Sequence, residues 1–308
     1  MTGKGGVGKT TIAASLALLA SQRGKRTLVA EVDAKGNLAD FFETGPTGFK
    51  EREISPGLWA MSMNTEESLK EYLSLQLKIP LVARLGPLAR TFDFVANAAP
   101  GVKEILTIGK FLWEVREHNY DLVVVDAVAS GHITGQLAAP QAIQELVQVG
   151  LVKDQTGWML DILGDHRQTG AVIVAAPEEM PVNETLELAA RLREETVVDL
   201  AAVVANRVLP ELFSRGEEEV FERLLTHDAT PSPEELLVEA VGGSVRPILD
   251  GAQLAVKLRR TRGVHLARLR DELPTGTPLL YVPYLFQRSH GVRATSQVAE
   301  HLSEELGY

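Results

Sequence analysis

Five short stretches of the chain are apolar at nearly every position: Thr27–Val32, Asp121–Val125, Ala171–Ala175, Leu200–Ala205 and Pro278–Val282. Continuous runs of this length, rather than alternating ones, predict strands buried on both faces of a parallel sheet. Leu58–Met63 is a weaker sixth candidate. Between them, apolar residues recur at helical spacing over Thr11–Ser21, Gln141–Leu163 and Asn183–Glu195. Strands alternating with helices predict an α/β fold, a mostly parallel sheet flanked by helices.

Two connections exceed the usual αβ and βα loop lengths. They predict helical insertions over about 64–119 and 209–277 on a single domain covering residues 1–308. The second includes the stretch THDATPSPEE (residues 226–235), whose prolines and polar residues predict a loop.

The N-terminus carries the chemistry. Gly3-Lys4-Gly5-Gly6-Val7-Gly8-Lys9-Thr10 satisfies G-x-x-x-x-G-K-[ST], the phosphate loop of a P-loop NTPase. Gly3, Gly5, Gly6 and Gly8 let consecutive backbone N–H groups face phosphate oxygens, with Val7 and Thr11 flanking them. The helix that follows adds the positive end of its dipole. Lys9 is placed to reach the β- and γ-phosphates, and the Thr10 hydroxyl to ligate Mg²⁺. A phosphate loop ordinarily follows a buried strand, yet only Met1 and Thr2 precede this one, so we expect a native start upstream of Met1.

Leu122–Asp126 ends an apolar run in a carboxylate, which puts Asp126 at the sheet edge where α/β ligands bind. Asp126 there would hold the Mg²⁺ shell, through water. The following Ser130-Gly131 turn is placed to sense the γ-phosphate.

Composition narrows the class. The 308 residues carry 31 Lys+Arg against 41 Asp+Glu, a net charge of −10, and no cysteine. The acidic balance argues against nucleic acid as a partner. Without cysteine there are no disulfides, thiolate metal sites or cysteine nucleophiles. The histidines include no H-E-x-x-H pair, so no zinc is expected. No apolar run spans a bilayer, and a cytoplasmic protein is expected.

With Lys4, the loop reads K-G-G-x-G-K-T-T, which resembles the deviant Walker A loop of chromosome-partition, division-site-selection, nitrogenase-iron-protein and arsenite-pump ATPases. Asp126-Ala127-Val128-Ala129-Ser130-Gly131-His132 is similar to D-T-A-P-T-G-H, the second switch of the arsenite-pump and guided-entry (tail-anchored protein targeting) ATPases. Asp33-Ala34-Lys35-Gly36-Asn37-Leu38-Ala39-Asp40 resembles their first switch, with A-K-G in place of P-A-H. Pro100-Gly101-Val102-Lys103-Glu104, Pro177-Glu178 with Glu184-Thr185, Val203–Val208 and Val282-Pro283 with Gly291 resemble further family segments, in order along nearly the whole chain.

The resemblance implies a Mg²⁺-dependent ATPase working as a nucleotide-switched dimer, either a homodimer or a heterodimer with a paralogue. It implies ATP bound with Lys9 in its own subunit and Lys4 acting across the interface. Asp33 then orients the attacking water, Asn206 holds the base, and Pro283 packs near the adenine. Without cysteines the chain lacks both the metalloid-binding thiolates and the C-x-x-C zinc pair of those relatives, and is most similar to the cysteine-lacking bacterial "anion-transporting ATPase" members. Two alternatives are a nucleotide-binding scaffold in complex with a paralogue and a partition- or positioning-type ATPase.

Apolar residues crowd the first insertion: Leu73, Leu75, Leu77, Ile79, Leu81, Leu85, Phe92, Phe94, Val95, Ile105, Leu106, Phe111, Leu112 and Trp113. Spacing predicts first that they pack the insertion's own core. The guided-entry resemblance adds a groove for a hydrophobic protein client. The basic cluster Lys257–Arg262 with Arg268 and Arg270 reads as a solvated helix face.

Overall fold

A computed structural model of the chain describes residues 1–33, 37–77, 101–147, 149–225, 233–286 and 291–308. The strands are β1 (Thr27–Glu31), β2 (Arg52–Ser55), β3 (Leu58–Ser62), β4 (Leu122–Asp126), β5 (Ala171–Ala175), β6 (Leu200–Val208) and β7 (Leu279–Pro283). They form two sheets, ordered β2-β3-β1-β4 and β5-β6-β7. Every pairing is parallel except β2 with β3. Met1 and Thr2 lie between the two sheets. The Met1 amino nitrogen donates to Val125 O (2.8 Å), and Ala127 N donates to Met1 O (3.0 Å). On the other side Thr2 bridges Ile173 in parallel, through Thr2 N to Val172 O and Val174 N to Thr2 O.

Both faces are covered, which is why the strands read as continuous apolar runs. Val174, Val204 and Val29 face α1 (Lys9–Gln22), with α2 (Asn37–Phe41) and α11 (Val292–Glu305) on the same side. Their neighbours Ile173, Ala175, Val203 and Ala205 point the other way. They meet α4 (Val102–Arg116), α5 (Ser130–Leu146), α6 (Gly150–Gly164), α7 (Glu179–Glu195) and α10 (Arg246–Glu272). The remaining helices are α3 (Thr65–Leu77), α8 (Arg215–Leu225) and α9 (Pro233–Val241).

Two expectations need correction. Strand β2 was not expected: its Arg52 and Glu53 are exposed, so it lacks the apolar run that marks the buried strands. The helix expected over Gln141–Leu163 is two helices, the first starting at Ser130. Val147 and Val149 are extended and Gly150 has φ +74°, a left-handed conformation that breaks the helix. The expected loop THDATPSPEE lies mostly outside the described residues, and its Pro233 opens α9, where a missing N–H costs nothing.

Helices α3 and α4, from the first insertion, are joined by buried polar contacts. Ser68 Oγ donates to Leu106 O (2.9 Å). Lys110 has only 3% of its side chain exposed and is ion-paired with Glu51 (2.8 Å), Glu71 (3.0 Å) and Glu114 (2.7 Å), with the Phe49 ring centroid 5.3 Å away. Burial alone would lower the ammonium's pKa, but hydrogen bonds to Glu114 and Glu51 and the surrounding carboxylates raise it overall. Beside this cluster lies a cavity of about 370 Å³, whose lining includes Leu69, Ile105, Trp113, Ile143, Trp158 and Met159.

Of the apolar residues singled out in the insertion, Ile105, Leu106 and Trp113 line this cavity, whereas Phe111 and Leu112 are buried in the core. Leu73, Leu75 and Leu77 fall on α3, with their side chains outside the described set. Ile79, Leu81, Leu85, Phe92, Phe94 and Val95 lie outside the described residues altogether. The basic cluster on α10 is engaged within the chain. Arg260 pairs with Glu218 and Glu222, Arg262 with Glu178, and Arg268 with Glu272.

Candidate nucleotide site

The loop from Gly3 to Gly8 runs out of the gap between the sheets and turns into α1. Two glycines are required by close approach as well as by a positive φ. Gly3 (φ +141°) lies so close to strand β5 that a Cβ would overlap the Val174 carbonyl oxygen. Gly8 (φ +95°) caps α1, and a Cβ there would strike the Asn206 amide. Gly6 (φ +84°) also takes a left-handed conformation, but it and Gly5 have no neighbouring atom where a Cβ would stand, and neither does Gly131. The loop therefore surrounds open space, as a phosphate cradle must. Val7 is buried against Ile12 and Val282 and pins the loop to the core.

Asn206, near the end of β6, holds the loop from the other side. Its Nδ2 donates to Val7 O (2.8 Å), and its Oδ1 accepts from Arg207 N (2.9 Å), the latter residue at φ +61°. Val208 pairs with Pro283 of β7, so Asn206, two residues before the end of β6, and Pro283, the last residue of β7, lie on neighbouring strands. Lys9 Nζ donates to Lys4 O (3.3 Å), folding the ammonium back over the loop. Thr11 follows in the first turn of α1.

Parallel pairing of β1 with β4 brings Glu31 level with Asp126, and Asp33 follows two residues beyond the strand. Asp33 is exposed, and its negative charge acts on Asp126. Residues 34–36 of the expected first switch lie outside the described residues.

Asp126 is buried, and its Oδ2 accepts from Thr10 Oγ1 at 2.6 Å. Its other oxygen, Oδ1, is buried without a hydrogen-bond partner among the described residues. Burial raises the Asp126 carboxyl above its ordinary pKa, opposed by the Thr10 hydrogen bond and nearby positive charges, and Asp33 adds to the rise. A hydroxyl and a carboxylate held together with one orphaned oxygen fit the water shell of a hard divalent cation. The residues present fit Mg²⁺.

This geometry makes a prediction. Asp126→Asn should raise the melting temperature of the nucleotide-free protein by a few degrees, since it removes a buried charge. It should also abolish the stabilisation that Mg²⁺ adds to that of ATP alone, measured by scanning calorimetry. A variant that kept the full Mg²⁺ increment would contradict the assignment.

The second switch is placed against the loop. Ser130 N donates to Gly3 O (3.1 Å), which sets the first turn of α5 beside the phosphate cradle, with Gly131 and His132 exposed. Lys4 is ion-paired to Glu184 of α7, and the other Glu184 oxygen accepts from Ser130 Oγ at 3.0 Å. The Lys4 bond holds the Glu184 carboxyl below its ordinary pKa, partial burial opposes this, and the Ser130 bond adds to it. The sequence marked Glu184 only as part of a resembling segment; its contact with Lys4 spans 180 positions and has no local signal.

A glycine loop leading into a helix at the carboxyl edge of a parallel sheet, faced by a strand-end aspartate, defines a P-loop NTPase. The family model described as "Anion-transporting ATPase" matches residues 1–159 and 146–224, and the chain belongs to that family. It is 30% identical over 221 residues to "ATPase BagA" of Mycobacterium tuberculosis, an alignment covering 68% of this chain and 64% of that one. It is 33% identical over 147 residues to "ATPase get3" of Schizosaccharomyces japonicus (46% and 44% of the two chains). It is 28% identical over 196 residues to "ATPase GET3" of Chaetomium globosum (62% and 55%). The match thus spans 64% of the length of the mycobacterial relative. Among the described residues, no helix is long and apolar enough to cross a membrane.

Proposed function

We infer that the protein is a Mg²⁺-dependent ATP hydrolase that closes as a dimer around nucleotide. The observation that carries this reading is the Thr10–Asp126 bond with its orphaned carboxylate oxygen, set beside an open glycine cradle. Backbone N–H groups of residues 5–10 and the N-terminal end of α1 would bind the phosphates, and Lys9 would bridge the β- and γ-phosphate oxygens. Thr10 would hold Mg²⁺ directly and Asp126 through water. Bound there, the cation would neutralise charge that develops on the transferring phosphoryl group.

Asp33, on the same sheet edge, would orient water for in-line attack. Lys4 from the partner subunit would offset charge on the γ-phosphate. Asn206, which braces the loop through Val7 O, would hold the base, and Pro283 would pack near the adenine. Loss of the γ-phosphate would release Ser130-Gly131, and α5 would carry that change to Ile143, a wall of the apolar cavity. A hydrophobic protein segment is the client this cavity suits, and the cytoplasm is the compartment proposed.

Sedimentation velocity with and without Mg·ATP, paired with single-turnover hydrolysis, tests the reading. ATP-dependent dimerisation together with phosphate release supports it. A nucleotide-bound chain that stays monomeric and releases no phosphate would rule it out, and would favour the scaffold alternative.

A further inference from the structure

One carboxylate joins two parts of the nucleotide site. Glu184 receives the Lys4 ammonium on one oxygen and the Ser130 hydroxyl on the other. Its backbone is fixed: on the same helix Val182, Thr185 and Leu188 are buried, and Arg191 donates to Thr134 of α5 at 2.6 Å. Lys4 and Glu184 keep about a third of their side-chain surface, 31% and 29%, so the pair stays open to exchange. Lys4 sits on a loop of glycines at the end of a long flexible side chain. The rigid member of the pair is the acid.

We propose that Glu184 is a latch that ties Lys4 and Ser130 within their own subunit and must be exchanged for phosphate oxygens as the dimer closes. The inference rests on the dimer reading above and deepens it. While the latch is made, Glu184 neutralises the Lys4 charge, so the pair offers no net positive charge to a triphosphate, and this opposes closure. When a γ-phosphate competes for Lys4 and Ser130, the same two donors pass from one anion to another, so the switch needs no new donor. An ion pair this exposed is weak, which suits a contact that has to be broken in each cycle.

The experiment is to measure the dimer dissociation constant in saturating Mg·ATP, using chains slowed by Asp33→Asn. Glu184→Gln keeps the shape of the side chain and removes its charge; it should tighten the dimer about fivefold, the combined scale of the two exposed ion pairs that a symmetric dimer exchanges. Glu184→Ala should act in the same direction, and it covers the case in which Gln fails to fold. With Mg·ADP neither variant should change the constant. The tightening should vanish when Lys4→Ala is added, because the latch acts through Lys4, whereas a merely structural defect would persist.

If the wild-type dimer forms with Mg·ATP but Glu184→Gln leaves it unchanged or weaker, the latch is refuted and the dimer reading stands. A tightening that survives Lys4→Ala refutes it equally. If the wild-type chain does not dimerise at all, the dimer reading falls and the latch falls with it.

Discussion

Lys9→Ala is expected to slow single-turnover ATP hydrolysis by about 10²–10³-fold, the usual cost of removing one positioned donor from a developing charge. Lys9 is the first residue of α1, and its ammonium already folds back over the loop to Lys4 O at 3.3 Å. No backbone rearrangement is then needed for it to meet the phosphates. The variant should fold, since Val7 and Asn206 pin the loop to the core. It should also lose more affinity for Mg·ATP than for Mg·ADP, because the lysine reaches past the β-phosphate. Unchanged turnover in this variant would overturn the site assignment.

The second large effect concerns stability. Lys110→Met should destabilise the protein by about 3–5 kcal/mol, because the change leaves Glu51, Glu71 and Glu114 facing one another without their shared cation. In a chain of this size that lowers the melting temperature on the order of 6–15 °C. The loss should be felt first in α3, which Glu71 and Ser68 tie to α4. Hydrogen exchange should therefore speed up in residues 65–72 before it does in β1 or β5. Adding Glu114→Gln should recover part of the stability by removing one of the stranded charges. A melting temperature within about 2 °C of wild type would show that the cluster is solvated in practice.

Much of the fold was legible because burial on both faces leaves a plain mark. Val174 and Val204 face α1 and α11 while Ile173 and Val203 face α7, so both halves of each strand had to be apolar. The phosphate loop was legible for a different reason: its glycines answer local backbone demands, such as the approach of Gly3 to Val174, which only the residue type can meet. Strand β2 left no such mark, since an exposed antiparallel edge needs only a few hydrogen bonds to β3. The break after Leu146 was hidden because Val147 and Val149 keep the apolar pattern running while their backbones leave the helix.

The contacts that tie elements together were the least legible. Glu114 stands four residues from Lys110 and could be paired with it on sequence, but Glu51 and Glu71 reach that lysine only through the fold. The Glu184 contact with Lys4 likewise depends on α7 packing beside α5, which brings a distant carboxylate to the loop. Local patterns reveal which groups can do chemistry; the contacts that restrain them arise from tertiary packing.

In the proposed dimer each nucleotide is held by Lys9 of its own subunit and completed by Lys4 of the other. Mixing a Lys4→Ala chain with a Lys9→Ala chain tests it most directly. Each is expected to be inactive alone, yet a mixed dimer contains one complete site, with Lys9 from the first chain and Lys4 from the second. Equal mixing of a two-fold symmetric dimer should then restore about one quarter of wild-type hydrolysis. Mixed dimers that form but hydrolyse no more than the parent variants would contradict the account.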